Sequence, residues 1–516
     1  MNNRVSTSKK SFAINVFATF GTRLISITVL IWLQQFLIKR IPIEEYSLLP
    51  IVFSLLILLP FINYILMGGI HRYVMDAYAN HQDDRITNII SSMFPFFLLG
   101  GGLLLSIGFL LSWQIDNLLN IESQYVDKAR LMLMLIVMLE VIRLITGVFS
   151  NGIFVKQRFV LESIITISCE IFRIILLFVF LFGFSVSVLS VVAANVISGL
   201  AEVIILVHMS LKLLPEQKYK LQSIDWTIVK KILSFGGWTS LYGFSQAIRK
   251  SADPIILNRL STPLDVTCFH LGSLVPNRLE VLINNSFLGS ISPIVVGLNA
   301  QKQEDRLQKL YLRGGRLLLW GVLLIILPFV VHYEQITILY VGDNFSSAGL
   351  VLLLLLSTYP FVYGTVIERI IAKAKKRMRS LAIRETLSAV INIALTLLFV
   401  GWYQLGAIGS AMATFLVYGI GYVIIFIPFG KAMMKVTWRE IWNHIFQPGL
   451  IPFLVAMAFM KILLMFEYAQ TWGAIAFNYF VGGIIYLTMV WLVSKNIDKS
   501  EFRAAILALF SRFKVN

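Results

Sequence analysis

Ile89–Ser112 reads IISSMFPFFLLGGGLLLSIGFLLS, 24 residues without one ionisable side chain. At about 1.5 Å of rise per residue, roughly 20 helical residues cross the hydrocarbon core of a bilayer, so this stretch is long enough to do so. A membrane β-strand would instead alternate polar and apolar residues over about ten positions. The apolar run here is continuous and implies a helix, which satisfies its own backbone polar groups in lipid. Working outward from it, similar runs recur along the 516 residues: 11–38, 46–70, 129–150, 160–183, 186–210, 231–257, 265–291, 316–339, 347–371, 380–402, 405–429, 446–466 and 473–494. With 89–112 they make about 14 expected spans of an all-α, polytopic membrane protein. Composition agrees: 58% of residues are hydrophobic and 14% charged, against roughly a quarter charged in a soluble domain. A water-soluble enzyme and a disordered chain are excluded. Two cysteines, Cys169 and Cys268, make no disulfide framework. The first span is too long for a signal-peptide core and lacks a small-residue cleavage site after it, so it is expected to stay in the mature chain.

Cytoplasmic loops retain Lys and Arg while translocated loops shed them. With the N-terminus (Arg4, Lys9, Lys10) inside, about 32 of the 44 basic residues fall in inside loops. The outside connections keep Lys39, Arg40, Lys128, Arg130 and Arg259. Both termini are therefore expected in the cytoplasm. The net charge of +17 faces anionic phospholipid headgroups from many loops and not one basic surface, which argues against nucleic acid. In 495–516, Ile497, Phe502, Ile506, Leu509, Phe510 and Phe513 recur at helical spacing among Lys499, Arg503, Arg512 and Lys514. That pattern predicts an amphipathic tail lying on the inner face.

No connection is long enough to carry an extramembrane catalytic domain, and no P-loop is present. The Asp83–Asp84 pair reads as a solvated turn, and the six histidines show no ligand spacing. Movement of a solute, not chemistry, is the expected activity, and no metal or other cofactor is expected.

LIKRIPIEEY (Leu37–Tyr46) faces LNRLSTPLDV (Leu257–Val266), and Lys156-Gln157-Arg158-Phe159 faces Lys375-Lys376-Arg377-Met378. Both matches share an offset of about 219 residues, the signature of a duplicated bundle. An even number of spans per copy leaves both copies pointing the same way. The expected plan is two six-helix lobes around a central cavity, 1–211 and 231–430, joined by a basic cytoplasmic linker at 212–230. Two extra helices (446–494) and the tail follow.

An ionisable side chain within the bilayer is costly unless paired or solvated, so each marks a candidate site. Arg23, Arg249, Lys250 and Arg278 lie in expected spans one, seven and eight, at depths of roughly 18 to 27 Å from the cytoplasmic ends. As a cationic ladder in a cavity they would hold a phosphate or carboxylate. The plainer alternative is neutralisation by Asp253 and Glu280 on the same helices. Glu140 and Arg143 in span four, and Glu170 and Arg173 in span five, repeat E-x-x-R on a hairpin. They can meet as a four-charge network, which is either packing glue or a titrating site for a coupling proton or sodium ion. Asn63, Tyr64, Asn284, Asn285, Trp238 and Tyr242 would suit sugar hydroxyls and ring faces, or ordinary packing.

Taken together, Gly21-Thr22-Arg23, the LIKRIPIEEY connection, SFGGWTSLYGFSQAIRKSADPIILNRLS in span seven and the KQRF and KKRM hairpins resemble the Wzx-type polysaccharide transporter flippases. These belong to the multidrug/oligosaccharidyl-lipid/polysaccharide exporter superfamily. The resemblance covers essentially the whole chain with loose motifs. It implies alternating access in the cell inner membrane and an undecaprenyl-pyrophosphate-linked oligosaccharide as cargo, an O-antigen, capsule or related surface-glycan unit. Arg23, Arg249, Lys250 and Arg278, with Asn63, Tyr64 and Asn284, would bind it, and other glycan-assembly proteins would be partners. Two rivals remain: a multidrug or cation antiporter of the same superfamily, which would want an acidic cavity, and a membrane glycan polymerase, which would want longer outside loops.

Overall fold

The computed structural model describes residues 31–57, 59–156, 158–465 and 471–493. Among these, every regular element is a helix. We number the main ones α1 (Ile43–Ser54), α2 (Leu59–Ala79), α3 (Asp83–Trp113), α4 (Ser123–Gly147), α5 (Phe159–Gly183), α6 (Val188–Leu213), α7 (Trp226–Leu260) and α8 (Pro263–Ile283). The second half adds α9 (Gly289–Ala300), α10 (Glu304–Val331), α11 (Ser347–Thr365), α12 (Ile367–Ala374), α13 (Met378–Trp402), α14 (Gly406–Met434), α15 (Trp438–Leu464) and α16 (Trp472–Val493). Arg23 and the expected amphipathic tail lie outside the described residues.

Among the described residues nine helices are long and apolar enough to cross a membrane: α3, α5 (from Val160), α6, α10, α11 and α13 to α16. The chain is an all-α, polytopic membrane protein. α4 and α7 are as long as these, but they carry Glu140, Arg143, Arg249, Lys250 and Asp253 within their apolar stretches. A helix accepts that composition only when neighbouring protein or a cavity meets the charges. The span expected at 46–70 is broken between α1 and α2, where Pro60 has no N–H to donate to the preceding turn.

Helix starts follow from capping chemistry. Asp225 accepts the Thr227 amide at 2.8 Å to open α7, and Ser187 accepts the Leu189 amide at 3.2 Å to open α6. Thr437 and Glu440 form a reciprocal capping box at the start of α15. π-helical turns at 284–288, 397–402, 416–420 and 442–446 loosen the backbone locally.

Packing divides the chain into two compact units. Of the described residues, the first holds those in 31–270 and 378–410, the second those in 271–377 and 411–493. These units and the six-helix repeats of the sequence are different divisions of the chain. α7 and α13, of the second repeat, pack in the first unit because α7 lies along both α2 and α13. The end of α7 is also clasped. Asn258 Nδ2 donates to the Asn120 carbonyl at 3.0 Å, the Asn120 amide donates to Asn258 Oδ1 at 2.9 Å, and Arg259 Nη1 donates to Asn120 Oδ1 at 3.3 Å. In the second unit α10 is the central post, packed against α11, α15 and α16. A Cβ at Gly315 would lie 2.2 Å from the Gly364 carbonyl, so glycine is what lets α10 and α11 approach.

Candidate functional site

In the first unit α7 and α13 face each other along a row of polar side chains. Tyr242, Ser245, Gln246, Arg249 and Asp253 recur on one side of α7; Glu385, Ser388, Asn392 and Thr396 recur every three or four residues on α13. This spacing puts each set on one helix face. Glu385, Asn392 and Asp253 are only 0, 1 and 3% exposed. Ser245 and Thr386 hydroxyls meet at 2.8 Å, and Gln246 Nε2 donates to Glu385 Oε1 at 2.7 Å and to Tyr242 Oη at 3.3 Å. Arg249 Nη2 donates to Gln246 Oε1 at 3.1 Å. One helical turn further, Thr396 Oγ1 donates to Asp253 Oδ1 at 3.1 Å, within electrostatic reach of Arg249. The ladder thus holds two buried carboxylates, Glu385 accepting from the Gln246 amide and Asp253 from the Thr396 hydroxyl. One guanidinium is linked to the first carboxylate through Gln246.

A second charged region joins α4, α5 and α6, with α6 packed against both others. Arg143 pairs with Glu140 at 2.8 Å and reaches Glu202 of α6 at 3.6 Å, while Thr166 donates to Glu202 Oε1 at 3.1 Å. Arg173 makes a close ion pair with Glu170, its Nε donating at 3.0 Å. Glu202 is therefore an interhelical partner of Arg143 that the E-x-x-R pattern leaves out.

The structure places the other sequence candidates separately. Arg249 is half-buried in the ladder and Lys250 is exposed beside it on α7. Arg278 is exposed and Glu280 half-buried on the part of α8 that belongs to the second unit. Asn63 is half-buried on α2, Asn284 is exposed at the π-helical turn after α8, and the side chains of Tyr64 and Asn285 lie outside those described.

Glu385, Gln246, Thr396 and Glu202 are residues the sequence reading missed. An acid following Arg384 at the start of an expected span, followed by Ser388, Asn392 and Thr396 on the same face, is the signal that could have found Glu385. The second unit holds another unforeseen group. Glu368, fully buried, accepts from Tyr422 Oη at 3.1 Å, and the Arg369 guanidinium lies 5.7 Å from the Tyr422 ring. A Cβ at Gly430 would fall 2.1 Å from Glu368 Oε2, so this glycine makes room for the carboxylate.

On α1, which is not among the nine helices long and apolar enough to cross a membrane, Glu45 is set by its surroundings. Burial pushes its carboxyl up, but hydrogen bonds from Lys128, Ser187 and the Val188 amide, with the Lys128 charge, outweigh this and hold it below the usual glutamate value. Lys128 Nζ lies 2.9 Å from Glu45 Oε2, and Ser187 Oγ donates to Oε1 at 2.7 Å.

No family description and no curated protein matches this sequence. Solved structures do share its fold. The chain is similar to a lipid II flippase, MurJ, in an inward closed conformation, with a TM-score of 0.69 over 93% of this chain and 98% of that one, at 16% identity. It is also similar to an inward-facing multidrug resistance MATE family transporter of the MOP superfamily, with a TM-score of 0.63 over 81% of this chain and 98% of that one, at 12% identity. A MOP superfamily transporter from Pyrococcus furiosus gives 0.60 over 82% and 95%, at 12% identity. The chain therefore has the fold found in MOP-superfamily transporters.

Proposed function

We propose that the chain is a flippase that moves an undecaprenyl-pyrophosphate-linked oligosaccharide across the inner membrane by alternating access. The observation that carries this reading is the likeness to a lipid II flippase over nearly the full length of both chains, a larger share of this chain than the likenesses to the MATE family transporter and the Pyrococcus furiosus transporter take in. An anionic headgroup needs a fixed cation within the membrane, and Arg249, held in the ladder on α7, is the residue assigned to it.

The ladder supplies the coupling. Asp253 and Glu385 are buried carboxylates bonded to Thr396 and Gln246, and a proton or sodium ion that enters the ladder binds there. Gln246 connects the two tasks, since its Oε1 accepts from Arg249 while its Nε2 donates to Glu385. When Arg249 turns to a phosphate, the amide loses one of its partners and the hold on Glu385 changes.

The test is reconstitution of the full chain in liposomes with a fluorescently labelled undecaprenyl-pyrophosphate oligosaccharide, quenched from outside by dithionite. The expected result is loss of the protected inner-leaflet pool, at a rate that falls in Arg249→Ala. Transport of an organic cation with no lipid movement would instead favour the antiporter reading, to which the buried carboxylates also lend support.

A further inference from the structure

Between α6 and α7 the chain runs as a strap over the end of the first unit, and hydrogen bonds pin it along its length. Thr87 Oγ1 donates to the Glu216 carbonyl at 2.9 Å, and the Lys220 amide donates to Ser91 Oγ at 2.9 Å. The Asp225 amide donates to Ser92 Oγ at 2.8 Å. Gln217, 1% exposed, accepts the Asn151 amide at 3.0 Å and donates to the Ser210 carbonyl at 3.2 Å. A segment this firmly tied holds its shape without a ligand.

The strap closes one side of a cavity of about 420 Å³ lined by Phe149, Leu211, Pro215, Gln217, Lys218 and Tyr219. Its wall continues into an aromatic row, with Tyr219 5.0 Å from Phe94 and Phe94 5.4 Å from Phe149. The outer surface is not that of a loop facing water. Leu221 is 71% and Trp226 70% exposed, while Lys218 and Lys220 are exposed on either side of Tyr219. The Asp225 carboxylate is occupied in capping α7, bound to the Thr227 amide and hydroxyl at 2.8 and 2.6 Å. An apolar slot lined in part by Lys218, with exposed Lys220 two residues on and an outward Trp and Leu in the same strap and at the start of α7, has the chemistry of the bilayer interface.

We infer that this groove is a binding site for one anionic phospholipid of the cytoplasmic leaflet. An acyl chain lies against Phe149, Leu211 and Pro215, and the headgroup phosphate meets Lys218 and Lys220. Trp226 and Leu221 sit in the headgroup layer beside it. Charge complementarity selects the occupant, since a neutral lipid gains nothing from the two lysines. The site holds the strap to the membrane and is independent of the cargo, so it stands or falls apart from the flippase reading.

Native mass spectrometry of the full chain, released from detergent with defined lipid mixtures, tests it. Phosphatidylglycerol should bind in preference to phosphatidylcholine. The pair Lys218→Gln and Lys220→Gln should weaken phosphatidylglycerol binding roughly 10- to 30-fold, at about a fivefold loss per lysine near a charged headgroup, and leave phosphatidylcholine binding unchanged. Leu211→Trp, which fills the slot and keeps both lysines, should weaken both lipids. Equal binding of the two lipids by the native chain, or phosphatidylglycerol binding untouched in the lysine pair, overturns the assignment. Because both lysines are exposed, folding of that variant is not at risk, and its melting temperature serves as the control.

Discussion

The first unit handles intramembrane carboxylates in two ways. On α4, α5 and α6 the acids are answered by arginines: Glu140 and Glu202 by Arg143, and Glu170 by Arg173. On α7 and α13 Asp253 and Glu385 are bonded to the neutral Thr396 and Gln246, and Arg249 reaches the ladder by donating to Gln246. An arginine-paired carboxylate is fixed in its charged form, and breaking it strands a charge. A carboxylate held by neutral donors can change its charge without losing its packing. The first arrangement suits a girder and the second a site that loads and unloads a cation. The two regions therefore predict different failures when altered.

The largest effect is expected on the ladder. Asp253→Asn and Glu385→Gln keep shape and hydrogen bonding but remove the charge, so folded yield should hold while transport falls about 100-fold, equivalent to roughly 2.7 kcal/mol on the limiting barrier. The sharper readout is coupling. Lipid movement by the native chain should respond to an imposed proton or sodium gradient, and the residual movement in the two variants should not. A gradient response kept in both variants and lost in Glu202→Gln would reverse the assignment of the two regions.

Next comes the arginine-paired region, where the loss should appear in stability. Arg173 is 9% exposed, and removing one partner of a buried pair costs roughly 3–5 kcal/mol. Arg173→Ala should lower the yield and the melting temperature of the detergent-solubilised chain, with transport per folded molecule unchanged. Replacing Glu170 by Gln together with Arg173 by Met should recover most of the stability, because no charge is then left alone. Normal yield with lost transport would make this region a coupling element too.

The contrast explains which parts could be read from the chain. Apolar runs announced the helices, because in lipid the length of a run is itself the structural signal. Arg249 and Asp253 stood out as charges inside such runs. Glu385 did not, since Arg384 before it made the start of its helix look like a basic loop. Its partner Gln246 is neutral and 139 residues away. Nor did Glu202 stand out as the partner of Arg143, because pairing across helices leaves no local trace. Intramembrane cations can be found from sequence, but which acid or amide answers each one is decided by packing.

Glu45 offers the smallest effect and a third kind of pairing, a buried carboxylate held by a cation and two neutral donors together. Its carboxyl lies below the ordinary glutamate value near 4.3. A depressed value means that ionised Glu45 favours the folded chain. That contribution is complete above the unfolded value and is lost as pH falls through the folded one. Lys128, with a side chain 27% exposed, should cost only about 1 kcal/mol when changed to Ala. Glu45→Gln should be less stable than the native chain at pH 7, and the gap in melting temperature should close as pH falls below the ordinary glutamate range and through the lowered value of Glu45, where it becomes protonated and resembles glutamine. Other acids titrate in the same range, so the difference between the two chains, and not either melting curve alone, carries the test. A gap that stays constant to the lowest pH at which both chains remain folded would mean that Glu45 contributes through shape and hydrogen bonding, and its charge would then play no part in holding α1, α4 and α6 together.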